Sequence, residues 1–423
     1  MDSFAVASST SAPLTNRNLR LLVLGQFISA LGDNFYLIAM PWLGLQLTGS
    51  AFVAGTLLAV ASIPRSLFML LGGAVTDRYS AKNLLVIANG LQGLLMLLLG
   101  ILVLTPLLRL WFLYVLVFMT GFAEAFGLPA FNVLLPRIVE QGELESGNIY
   151  LQGANMVSGI IGPALAGLLI SIFAPNPDLS LALKGLGLVF LIDAVTFFAG
   201  ISFFLRIRIG TAVKVAERSA GSPLTSIRTL IDYLRTDLQL RNLLLLMVVL
   251  GLFLTGAIRV GFPMLAETNF ISGAKVFGFM TSAFGVGIFI GMISVKLLPR
   301  PAPRISGLVL LSLFALMPAG VVSLAFAPSF QATLGIILVM GLAFGYVNIY
   351  LLSWLQRRTP GHLLGRVIAL VLFSTIGLAP LSQAWMGYLL DRHLSATLVV
   401  AGSLMLVFLV FTAANRKMWA LEG

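Results

Sequence analysis

Apolar stretches follow one another along almost the whole chain, broken by short polar or charged segments. Each is close to the roughly 20 residues that a helix needs to cross a bilayer. They fall at 20–47, 51–76, 83–105, 110–136, 147–173, 185–205, 241–266, 275–298, 305–327, 330–355, 365–390 and 394–414, and predict twelve transmembrane helices. The apolar runs are continuous. Period-two alternation is missing, which excludes a membrane barrel. The expected fold class is an all-α polytopic membrane protein.

Polar residues interrupt this pattern at a few places. In "LGQFISALGDNFYLIAMPW" (24–42), Gln26, Ser29, Asp33 and Tyr36 are spaced 3, 4 and 3 apart, which aligns them on one helix face. A carboxylate at the bilayer centre costs about 2.5–3.5 kcal/mol on insertion scales. The stripe therefore predicts that Asp33 looks into an aqueous cavity, with Asn34 beside it. Four further charges fall well inside apolar stretches, away from their ends: Arg65, Glu124, Asp193 and Arg259.

With 59% hydrophobic and 10% charged residues and a mean hydropathy of +1.03, a chain of 423 residues cannot be a soluble domain. Its net charge of +11 would suggest nucleic acid in a soluble protein, but the distribution gives it another meaning. Twenty Lys and Arg fall in the terminal segments and the loops on the same side as the chain ends, whereas Arg109, Lys184, Lys275 and Arg392 alone occupy the opposite loops. Such an excess marks the cytoplasmic side, so both termini are expected in the cytoplasm and nucleic acid is not expected as a partner. No cysteine is present, which removes disulfides and thiolate metal sites. No ATP-binding loop and no Ser-His or metal-ligating constellation occurs, so neither an enzyme nor a cofactor is expected.

The two halves repeat. A shift of 218 residues lays Ala125-Phe126-Gly127 on Ala343-Phe344-Gly345, Gly147 on Gly365, Gly73 on Gly291 and Arg78 on Lys296. The expected division is a tail (1–19), a six-helix bundle (20–205), a linker (206–240), a second six-helix bundle (241–414) and a tail (415–423). Leu224, Ile227, Ile231, Leu234 and Leu238 recur at helical spacing in the linker. That pattern predicts an amphipathic helix on the membrane surface or, failing that, a soluble linker helix.

Between the second and third stretches, "GGAVTDRYSAKN" (72–83) resembles the loop signature of the major facilitator superfamily at Gly73, Asp77 and Arg78, with Lys82 as a nearby basic residue and Ser80 in place of the usual Gly. Gly162, Pro163 and Gly167 in "SGIIGPALAGLL" (158–169) resemble the Gly- and Pro-rich motif of its antiporter branch. The texture as a whole is similar to the twelve-span drug-exporter branch that includes macrolide and siderophore exporters. The arginine common early in the fourth helix of drug:proton antiporters is replaced by Val117.

This resemblance implies two six-helix bundles, a cytoplasmic latch at Gly73, Asp77, Arg78 and Lys82, and close helix packing at Gly162, Pro163 and Gly167. It also implies a cavity lined by the first, fourth, seventh and tenth helices. Asp33, Glu124 and Arg259 would then meet there as proton-coupling or substrate-binding residues, or as a static pair. Gln26, Asn34, Tyr36, Tyr346, Asn348 and Tyr350 would line it. Arg65 and Asp193 are expected beside the cavity, as an interhelical pair or gate. The function expected is proton-coupled efflux of an amphipathic or hydrophobic small molecule by a monomer in the bacterial inner membrane. A lipid or lysophospholipid flippase and a non-transporting receptor or scaffold are the alternatives.

Overall fold

The computed structural model describes residues 16–140, 143–173, 179–208, 234–235, 237–298, 302 and 305–419, excluding the side chains of 69–74, 77, 361 and 362. Among the described residues twelve helices are long and apolar enough to span a membrane. In chain order they are α1 (Arg17–Thr48), α2 (Ala51–Arg78), α3 (Ala81–Leu104), α4 (Leu110–Leu134), α5 (Leu144–Phe173) and α6 (Leu179–Leu205). There follow α7 (Leu238–Asn269), α8 (Gly273–Leu297), α9 (Ser306–Leu324) and α10 (Phe330–Arg358). α11 runs over Gly361–Leu372 and Ala379–Arg392, and α12 over Leu394–Ala414. The amphipathic helix expected within 206–240 falls mainly on 209–233, outside the described residues.

Local chemistry sets the helix ends. The Asn16 side chain accepts the amides of Asn18 and Leu19 at the start of α1, and Ser50, Ser80 and Ser329 cap α2, α3 and α10 in the same way, which satisfies amides a helix leaves unpaired. α1 stops at Gly49, whose φ of 67° is the left-handed conformation that glycine adopts without strain. Asp237 caps α7 and accepts a 2.8 Å bond from Arg358 at the end of α10. Burial works against its ionised form, but Arg358 and the amides of Leu240 and Gln239 outweigh burial and hold the carboxyl below its ordinary value.

Two bundles result. In the first, α1 lies on α5 and α6, α3 on α4 and α6, and α2 on α4. In the second, α8 lies on α10, α9 on α10 and α12, and α7 on α11 and α12. An even number of spans puts both chain ends on one face. Two π turns, Ala257–Gly261 in α7 and Phe373–Gly377 in α11, break the regular helical repeat where a 3.6-residue periodicity predicts none.

The bundles meet along α5–α8 and α2–α11. At the first seam a Cβ on Gly167 would stand 2.5 Å from the Ala274 carbonyl, and one on Gly278 would collide with that of Pro163. Only glycine permits this backbone approach. The seams draw tight at the face opposite the chain ends. There Asp391 accepts 2.6 Å bonds from Ser50 Oγ and the Ala51 amide, Gln46 donates to Glu267 at 3.0 Å, and Trp42 stacks on Phe277.

Asp391 thus ties α11 to the N-terminus of α2. A helix cap is worth about 1 kcal/mol, or about fivefold in an equilibrium. Phe52 and Tyr388 meet edge-on across the same seam. Cross-linking of a Phe52→Cys/Tyr388→Cys pair by a short bifunctional thiosulfonate should slow by about that factor when Asp391→Ala is added. An unchanged rate would show that Asp391 does not hold the seam.

Candidate functional site

A cavity of about 430 Å³ lies between the bundles, within the range that holds small-molecule ligands. Its lining reaches from mid-depth through Gln26, Asn89 and Phe131, which lie in the halves of α1, α3 and α4 nearer the chain ends. The cavity is therefore sealed on the opposite face and extends toward the face of the termini.

The α1 stripe turns inward. Gln26 donates to Asn155 of α5 at 2.9 Å, Ser29 donates to Asn89 of α3 at 2.7 Å, and Asn34 donates to the Ala30 carbonyl. Tyr36 lines the cavity, and its hydroxyl is buried without a partner among the described residues. Asp33 is exposed to the cavity and has neither an ion pair nor a hydrogen bond among the described residues. Cavity exposure accounts for a carboxylate within an apolar helix.

Glu124 has a different environment. Gly121 lets α4 close on the Ala61 carbonyl of α2 and on Pro64. One turn along each helix stand Arg65 and Glu124, joined at 3.1 Å. Arg65, expected beside the cavity as part of an interhelical pair or gate, does form an interhelical pair, but it also lines the cavity. A pairing of Asp33 or Glu124 with Arg259 does not occur. Arg259 is exposed to the cavity from the α7 π turn and has no partner among the described residues.

Asp193 is fully buried behind α1. Its Oδ1 sits near Thr196 Oγ1 at 3.4 Å, while Oδ2 has no partner among the described residues. It therefore does not pair with Arg65. Tyr346 and Tyr350 stack on each other at 6.0 Å on α10, and the Tyr346 backbone lies against Gly291 of α8. Neither they nor the exposed Asn348 line the cavity. The second bundle contributes α7 and α11 instead, with Thr255, Thr375 and Gln383. Asn89, Gln92 and Gln383, polar residues inside apolar stretches, were the available signal for helices α3 and α11.

The Major Facilitator Superfamily profile matches residues 22–380. The chain belongs to the Major Facilitator Superfamily. It is 25% identical to the enterobactin exporter EntS of Escherichia coli O1:K1 over 417 residues, covering 94% of this chain and 92% of that one. The EntS protein of Shigella boydii serotype 4 is 25% identical over 418 residues, with the same coverage. Among solved structures, the nucleoside transporter NupG superposes with a TM-score of 0.72 at 14% identity, covering 94% of this chain and 98% of that one. A bacterial homologue of the iron transporter ferroportin in an inward-facing state gives 0.66 at 19% identity, covering 94% and 99%.

As a Major Facilitator transporter, the chain carries its loop signature at the chain-end face, where two of its residues have described side chains. Lys82 donates to the Leu205 and Ile207 carbonyls at 2.7 Å each, closing the end of α6 within its own bundle. Arg78 is exposed. The surroundings of Gly73 and the Asp77 side chain lie outside those described, and with them the part of the expected latch that Asp77 would form. Gly162 sits against Asn34 of α1 and Gly167 against α8, so the small-residue motif forms helix seams.

Gly32 is a tight spot beside Asp33. A Cβ there would collide with both Asp193 Oδ1 and Thr196 Oγ1. Gly32→Ala is expected to destabilise the detergent-solubilised protein by about 1–3 kcal/mol, the usual cost of overpacking. A lower melting temperature, partly restored by adding Asp193→Ala, checks this. A melting temperature equal to wild type would mean that α6 does not confine α1.

Proposed function

We propose that this chain is a secondary active exporter that moves a secreted small molecule out of the bacterial cytoplasm by alternating access, driven by protons. The observation that carries the reading is Asp33, a carboxylate at mid-depth that faces the cavity with no cation bonded to it. Such a group can take a proton from whichever side the cavity opens to, and ionisable residues inside membrane helices mark ion and substrate pathways. Glu124 is the second carboxylate in reach, and it is tied to Arg65.

Similarity to enterobactin exporters over nearly the whole chain supports export of a secreted metabolite. The lining supports a compound with several hydrogen-bonding groups over a purely hydrophobic drug, because Gln26, Asn34, Ser62, Asn89, Gln92 and Gln383 all contribute to it. Multidrug efflux is thereby the weaker form of the reading. The Lys and Arg excess supports the inner membrane with both ends in the cytoplasm, so that the cavity extends toward the cytoplasm. One chain supplies both bundles, which supports a monomer.

Efflux-deficient bacteria expressing the chain test this against a broad panel of toxic compounds. Wild type should protect against at least one compound, a protonophore should abolish protection, and Asp33→Asn at equal expression should lose at least about tenfold. Protection that survives in Asp33→Asn would remove Asp33 from coupling. No protection against any compound would turn the reading toward a lipid substrate or a dedicated metabolite.

A further inference from the structure

The cavity holds two lone charges of opposite sign, one from each bundle. Asp33 stands on α1 of the first and Arg259 on α7 of the second. Both are exposed to the same cavity, and neither has a hydrogen-bonding or ionic partner among the described residues. Cavity water can solvate both groups, but a ligand that fills the cavity displaces that water and must compensate them itself. The other two acidic or basic groups of the cavity compensate each other in the Arg65–Glu124 pair. Of the four Asp, Glu and Arg side chains that line the cavity, only these two are joined.

Neither lone charge is swung away to bulk water or to a surface partner. Arg259 is fixed by the π turn Ala257–Gly261, an irregularity often found at functional sites. The adjoining Gly256 amide donates to Ser382 of α11 at 2.8 Å, which pins the segment that carries it. Asp33 is fixed because Gly32 lies flat against Asp193 and Thr196 of α6. Both backbone segments are thus fixed, and both side chains line the same cavity.

We propose that the transported compound is dipolar, with a cationic nitrogen that binds Asp33 and an anionic oxygen group, carboxylate or ionised phenol, that binds Arg259. Its body lies across the Arg65–Glu124 pair, against Ser62 and Gln383. A compound with only one of these charges leaves the other lone charge uncompensated. The inference rests on the cavity being a transport site, and it adds a reason for exchange. A proton on Asp33 removes the anion that holds the cationic end, so proton and substrate compete, as export against an inward proton flow requires.

Three dyes of one framework test it by fluorescence polarisation with the purified protein in nanodiscs. Rhodamine 110 is dipolar, rhodamine 123 is its cationic methyl ester, and fluorescein is the anionic counterpart. Rhodamine 110 is expected to bind at least about tenfold more tightly than either of the others, a factor within reach of one charge pair. Arg259→Gln should erase the preference over rhodamine 123, and Asp33→Asn the preference over fluorescein. Arg259→Lys should keep part of the first preference, which separates charge from folding. Three results would each overturn the inference: equal or tighter binding of rhodamine 123 or of fluorescein, equal weakening of all three dyes in either variant, or no binding of rhodamine 110. Equilibrium binding needs no gradient, so it can fail while proton-driven export stands, and the reverse.

Discussion

The Arg65–Glu124 bond governs the middle of this protein. It spans α2 and α4, two helices of the same bundle, which Gly121 brings close enough for backbone contact. Both side chains are partly exposed to the cavity, so solvent screens the pair, and removing one partner leaves a charge that cavity water only partly compensates. Because the pair is internal to one bundle, it need not break in the alternating access proposed above. A bridge from Glu124 to Arg259 would have tied the halves together and had to be broken in every cycle. The structure keeps its permanent pairing inside a rigid body and leaves the charges that face across the cavity, Asp33 and Arg259, unjoined.

The contacts that do cross between bundles are of another kind. At the face opposite the chain ends they are glycine-to-carbonyl approaches along α5–α8 and α2–α11, one aromatic stack and a few hydrogen bonds such as those of Asp391 and Gln46. In a membrane, helices gain little from burying apolar surface against each other rather than against lipid, so packing and a few polar bonds decide the association. Seams of this sort separate without stranding a charge. That is the property an alternating structure needs on whichever face is closed.

Hydropathy made the twelve helices legible, and several ends fell within a few residues because they are set by local signals: Ser50, Ser80 and Ser329 at N-termini and Gly49 at a C-terminus. Inward-facing residues were legible on α1, where four polar side chains share one face. They were not legible on α10. A helix surrounded by lipid on one side and apolar helices on the other carries no amphipathic stripe to tell the two apart, so Tyr346 and Tyr350 read equally as cavity or seam; Tyr346 lies at the seam with α8 and Tyr350 stacks on it. Nor do the π turns have a spacing signature, although one of them sets the position of Arg259. The partner of Arg65 was hidden for a related reason. Its choice of Glu124 over Asp193 depends on a glycine contact between α2 and α4, a pairwise fact that no single stretch of sequence contains.

What links the halves at cavity depth is then worth asking. Ser62 of α2 approaches Gln383 of α11 at 3.4 Å, a long, neutral hydrogen bond of small strength. The strong groups available for a link are Asp33 on one side and Arg259 on the other, and the protein does not join them. A transporter whose own residues bridged the cavity would settle its conformational equilibrium without reference to cargo. One that leaves opposite charges facing each other across the gap lets a bound molecule complete the bridge, and a ligand shifts an equilibrium only by the difference in how it binds the two states. On the proposed reading, a molecule bound to both Asp33 and Arg259 is what lets occupancy be felt by both bundles at once.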